Sequence, residues 1–136
     1  MINYILILVC AMLSMVIGFV WYGPLFGKKW VEIVGATDMD MEARKKMQKE
    51  AGVLYIVQFS LIVFQVFILA YFINLIPDIR PTYIAVLVWA GFVLPTIAGG
   101  AMWNNDSHKI AWARFLIQVG YQLILFVIFG FVLGLI

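Results

Sequence analysis

Residues 51–76, AGVLYIVQFSLIVFQVFILAYFINLI, run for 26 positions without a charged side chain or a proline. A helix rises about 1.5 Å per residue and the hydrocarbon layer of a bilayer is about 30 Å thick, so roughly 20 mainly apolar residues suffice to cross it. This stretch exceeds that length, and its ends are marked by Lys49 and Glu50 before it and by Pro77 and Asp78 after it. Three more stretches qualify: 2–22, 83–103 and 110–133. Hydrophobic residues make up 65% of the 136 and charged residues 12%, the latter about half the share of a soluble domain. Little chain is left over for a second domain. The expected fold class is all-α: one integral-membrane four-helix bundle over 1–136, with a short interfacial helix inside an amphipathic connecting segment, 25–50.

The basic residues set the expected orientation. Lys28, Lys29, Arg44, Lys45, Lys46 and Lys49 lie between the first two spans, Lys109 and Arg114 flank the third connection, and Arg80 alone lies in the second. The first and third connections share a side, and the positive-inside rule puts that side in the cytoplasm and both termini outside it. The expected location is thus the cell inner membrane. Trp21, Tyr22, Trp30, Tyr55, Trp103 and Trp112 cluster at the basic boundary, and Tyr4, Tyr71 and Tyr83 at the other. The first nine residues carry no Lys or Arg, so the first span reads as an uncleaved helix rather than a signal peptide.

Within the first connection, Pro24 is expected to end the first helix. Phe26, Trp30, Ile33 and Val34 then recur at helical spacing, as in a short helix lying in the interface. Gly35 is the expected stop, and Thr37 and Asp38 the expected cap of a helix that continues into the second span. Lys28, Lys29, Arg44, Lys45, Lys46 and Lys49 are candidate headgroup contacts. Pro95 should kink the third span, and the indole N–H of Trp89, deep in that span, needs a partner.

Polar side chains inside the spans are the first place to seek a function, because burying them without partners is costly. Ser14, Gln58, Thr96 and Gln118 lie at similar depths from the basic ends, and Gln65, Tyr121 and Gln122 form a deeper level. Arg114, Gln118, Tyr121 and Gln122 make a stripe down the fourth span. Two readings stand: helix-to-helix hydrogen bonds that hold the bundle, or a polar path or binding site. Arg114 either snorkels to the basic side or turns inward as an anion-binding group. No Asp or Glu lies within a proposed span, which disfavours ion-coupled transport.

Small residues mark three faces for close helix approach: Ala11, Ser14 and Gly18; Gly91, Pro95 and Gly99; and Gly130 with Gly134. They make self-association a reasonable expectation. Cys10 is the only cysteine and His108 the only histidine, so neither a disulfide within the chain nor a closed zinc site is expected. Asp106, Ser107 and His108 are consecutive, and a catalytic triad is assembled from distant segments, so no enzyme and no cofactor is expected. A net charge of +2 gives no case for nucleic acid.

Trp21-Tyr22-Gly23-Pro24-Leu25-Phe26-Gly27-Lys28-Lys29-Trp30 resembles the signature of a family of small bacterial membrane proteins, number seventeen sixty-one among the domains of unknown function. Leu116-Ile117-Gln118-Val119-Gly120-Tyr121-Gln122-Leu123, followed by Gly130 and Gly134, is similar to that family's last helix. The resemblance implies a shared four-helix fold and no activity. It also suggests that the aromatic-Gly-Pro turn docks the interfacial segment beneath the bundle. The function expected is a non-enzymatic membrane module, self-associating and binding lipids or partners. The alternative is a small passive channel or solute-binding transporter lined by glutamines.

Overall fold

The computed structural model describes residues 2–135. Among them every regular element is helical: α1 (Tyr4–Val20), α2 (Gly27–Ile33), α3 (Met41–Glu50), α4 (Gly52–Leu75), α5 (Pro81–Val88), α6 (Leu94–Met102) and α7 (His108–Leu133). Two wide helical turns, Trp21–Leu25 after α1 and Trp89–Val93 between α5 and α6, join these into four helices long and apolar enough to cross a membrane: Tyr4–Leu25, Gly52–Leu75, Pro81–Met102 and His108–Leu133.

Pro24 does not end the first helix as its sequence context suggests. The chain widens instead, and the Phe26 N–H donates to the Trp21 carbonyl at 3.0 Å, across five residues rather than four. Such a turn absorbs a proline that lacks an N–H and would crowd the carbonyl one turn earlier. Around Pro95 the same solution recurs, because Leu94 reaches back to the Trp89 carbonyl one residue before the proline. Gly35 does stop α2, with φ +75°, a conformation that suits a residue without a Cβ. The cap of α3 lies later than Thr37 and Asp38: the Asp40 carboxylate accepts from the Ala43 N–H at 2.7 Å. Asp40 is extended (φ −73°, ψ 172°), as an N-cap needs, and the helix starts less than a turn later than a cap at Asp38 would start it. From α3 to α4 the ladder continues with one irregular residue, Ala51, which donates to Met47 and accepts from Tyr55. Ser107 caps α7 through the Ile110 N–H.

The last helix is the centre of the assembly. Of its most apolar window 44% is buried, against 22%, 22% and 17% for the other three spans. α1 packs on one side of α7 and α5 with α6 on another, while α4 leans mainly on α1. The close-packed core lies in the half opposite the lysine-rich end: Ile7, Cys10 and Ala11 of α1, Val66 and Leu69 of α4, Ile84 and Ala85 of α5, and Phe126 and Phe129 of α7. Cys10 serves there as a small, fully buried packing residue. In the lysine-rich half α4 stands off. Residues 53–58 are exposed at every consecutive position, and at about 100° per residue that uncovers all sides of the helix.

Two of the three small-residue faces are used within the chain. A Cβ on Gly130 would lie 2.6 Å from the Thr82 Cα and 3.0 Å from the Ala85 Cβ, and one on Gly134 would press on the Pro81 ring. A Cβ on Gly18 would meet the Tyr121 hydroxyl at 2.8 Å, and Ala11 and Ser14 on the same face are fully buried. Lipid tails are as apolar as leucine, so helices in a bilayer hold together through this kind of close approach and not through burial from water. Gly91 and Gly99 meet nothing within 4 Å, so the third face is open.

Candidate functional site

The wide turn after α1 throws Trp21 and Tyr22 back onto α7. The Trp21 indole N–H donates to the Ile117 carbonyl at 3.0 Å, and its ring lies over Gly120, where a Cβ would come within 3.3 Å. A larger residue there would press on the ring and make it shift by a few tenths of an ångström. Tyr22 stands edge-on to Tyr121 (centroids 5.3 Å apart) and to Trp30 of α2 (4.7 Å), while Phe26 packs on Trp21 at 4.9 Å. Tyr121 closes the far side by donating to the Ser14 carbonyl at 2.8 Å. Aromatic pairs at these offsets add about 0.5–1.5 kcal/mol each beyond simple contact. The result is an aromatic clasp tying α1, α2 and α7 together at the lysine-rich end.

The clasp consists of the two stretches singled out in the sequence, 21–30 and 116–123, now in direct contact. The family described as protein of unknown function (DUF1761) matches residues 5–134. The chain belongs to that family. No curated protein and no solved structure matches it. DUF1761 membership assigns no activity, so function rests on the chemistry of the residues.

A second tie holds α2 down in this DUF1761 chain. Arg114 neither snorkels freely nor waits for an anion. Its Nε and Nη2 reach one carboxylate oxygen of Asp106 at 3.2 and 3.1 Å, and Nη2 also donates to the Ile33 carbonyl at 3.3 Å. Ile33 ends α2, where the helix dipole is negative and favours a cation. Both side chains are about one-fifth exposed, 19% and 22%, so the pair is shielded but not dry. Asp106, Ser107 and His108 form no triad: Asp106 holds Arg114, Ser107 caps α7 and His108 is exposed.

Apart from the Tyr121 bond to the Ser14 carbonyl, no hydrogen bond joins these polar residues of the spans to one another among the described residues. Ser14 returns its hydroxyl to the Ala11 carbonyl at 2.6 Å, and Thr96 to Phe92 at 2.7 Å, each within its own helix. Gln58 is exposed on the part of α4 that stands off. Gln65 and Gln118 are half-buried. On α7, Tyr121 faces α1, whereas Gly130 and the Val119 carbonyl, which accepts the Trp89 indole N–H at 3.2 Å, face α5 and the turn after it. Gln118 and Gln122 fall between those two directions on the helical wheel, on the same side as the buried Phe129. The Gln122 Oε1 is buried and, among the described residues, accepts no hydrogen bond.

The headgroup candidates divide into two groups. Lys29 pairs with Glu32 at 3.3 Å, and Arg44 donates to the carbonyls of Ala36 and Thr37, which fastens α3 to the preceding loop. Lys28, Lys45, Lys46 and Lys49 are exposed and make no ion pair among the described residues. The Trp21–Ile117 bond joins residues 96 apart through a backbone carbonyl, which no side-chain pattern announces. The signal available was the pairing of a tryptophan with a glycine on another helix.

Proposed function

We propose that this DUF1761 chain is a non-enzymatic inner-membrane module that presents a fixed basic platform to anionic lipid headgroups. The positive-inside rule puts the lysine-rich end in the cytoplasm and both termini outside it. One observation carries the reading: Lys45, Lys46 and Lys49 are exposed and, among the described residues, unpaired on a helix that runs almost unbroken into a helix long enough to cross a membrane, while neighbouring Arg44 is spent on holding that helix in place. A basic residue near an anionic surface contributes about 1 kcal/mol. Reversing all three (Lys45→Glu, Lys46→Glu, Lys49→Glu) should lower retention of phosphatidylglycerol relative to phosphatidylcholine at least tenfold, read by native mass spectrometry of the detergent-purified protein. Wild-type retention should itself weaken with added salt. Equal retention by wild type and variant would refute the reading.

In the same reading the module self-associates through the open face of α5 and α6, since Gly130, Gly134 and Gly18 are engaged at home. A Gly99→Cys variant should therefore form a disulfide-linked dimer in membranes under mild oxidation, and Cys10, fully buried, should not. Monomer alone after oxidation would remove this face from consideration. A second reading, solute binding in the membrane, is favoured by the unpartnered Gln122 oxygen alone.

A further inference from the structure

A cavity of about 330 Å³ opens between α6 and α7 at their shared lysine-rich end. Ala98, Ala101 and Ala111 leave the space, and Trp112 with Phe115, stacked edge-on at 6.0 Å, makes one wall. Asp106 and His108 stand at its polar rim. Its size lies at the lower end of ligand sites, which run from about 300 to 1,000 Å³. At roughly 30 Å³ for each water-sized group, this open-sided groove holds about eleven such groups, enough for a single chain of about ten carbons.

The rim chooses the head of the ligand. One oxygen of Asp106 accepts both bonds from Arg114, and the other accepts none among the described residues. That free oxygen needs a donor, and a carboxylate has no proton to give it. An ammonium is disfavoured as well, because Arg114 already neutralises Asp106 and Lys109 adds a positive charge at the same turn. An uncharged donor satisfies both conditions: a hydroxyl can give its proton to the free Asp106 oxygen while His108 offers a second hydrogen-bonding group beside it. We propose that this cavity binds a single-chain, uncharged amphipath, an alkyl tail of about ten carbons carrying a hydroxyl. The chemistry has two sources, a free long-chain alcohol or a monoacylglycerol of the membrane. It is separate from the headgroup platform and does not depend on it.

The test titrates detergent-purified protein by calorimetry with 1-decanol, decanoate, decyltrimethylammonium and monodecanoylglycerol. Decanol should bind saturably, and the two charged analogues at least tenfold more weakly. Tighter binding of monodecanoylglycerol than of decanol assigns the site to a membrane lipid; the reverse assigns it to the free alcohol. Ala98→Leu and Ala111→Leu each fill the cavity and should weaken decanol at least tenfold without lowering the melting temperature. No saturable decanol binding, equal binding of decanoate, or full binding by both folded leucine variants would each overturn the proposal. Should neither variant fold, the head-group comparison on the wild-type protein still decides it.

Discussion

Gly130→Val is expected to be the most damaging single substitution in the spans. The added side chain would enter a space where even a Cβ comes within 2.6 Å of the Thr82 Cα and 3.0 Å of the Pro81 carbonyl oxygen. Both are backbone atoms at the start of α5, where Pro81 leaves little freedom to give way. Overpacking in a close-packed region typically costs about 1–3 kcal/mol, and a clash with backbone belongs at or above the top of that range. Relief requires α5 to move off α7, which would also open the contact with Ala85 and uncover Phe126 and Phe129 behind it. Thermal unfolding followed by circular dichroism in detergent should show a large loss of stability. Gly134→Ala, which presses on a proline ring and not on a Cα, should lose less. Gly52→Val is the control, since nothing lies within 4 Å of that position and it lies outside the open face of α5 and α6. If Gly52→Val destabilises the protein and Gly130→Val does not, α5 and α7 are not packed as the Gly130 contacts require.

The same contrast shows what the sequence could and could not announce. Length and apolarity alone led to the expectation of four helices long and apolar enough to cross a membrane, which the fold contains, because a chain that crosses a bilayer must do so as continuous helix. Family membership followed from 21–30 and 116–123, and the docking role suggested for the first of these has a physical basis in the Trp21–Ile117 bond. Small residues marked close approach on two of the three faces, and nothing in the sequence says which two: Gly130 and Gly91 look alike, and one is filled by α5 while the other is open. Equal depth also did not make hydrogen bonds among Ser14, Gln58, Thr96 and Gln118, as far as the described residues go. Depth fixes one coordinate, whereas contact depends on the wheel direction and on whether α4 closes against the bundle. Serine and threonine can satisfy themselves on a carbonyl three or four residues back, as Ser14 and Thr96 do, which removes the need for a partner helix. Pro24 and Pro95 were legible as disturbances of a helix. That the chain answers each with a wide turn was not, and neither were the bonds that Trp21 and Trp89 make beside these turns, because the α7 carbonyls that accept them are invisible as sequence features.

Arg114→Met should loosen α2 on the bundle while leaving the spans in place. The guanidinium holds Asp106 and the Ile33 carbonyl at once, a fork that no other side chain can reproduce; even Arg114→Lys loses the planar pair of donors. Removing it strands a carboxylate that is only 22% exposed. Fully buried pairs broken in this way cost about 3–5 kcal/mol, and the partial exposure of both side chains brings the expected loss to about 2 kcal/mol. If the cost comes from the stranded charge, Arg114→Met with Asp106→Leu should be more stable than Arg114→Met alone. The α2 tie is a separate quantity. Limited trypsin cleavage at Lys28 and Lys29 should accelerate in both the single and the double variant, because both lose the bond to Ile33, while the aromatic clasp around Tyr22 keeps α1 on α7. Cleavage that speeds up only in the single variant would mean that Asp106, and not the α2 carbonyl, is what Arg114 holds. Unchanged cleavage in both would leave the clasp of Trp21, Tyr22 and Trp30 as the sole anchor of α2, and Arg114 would then be a boundary residue of the fourth span.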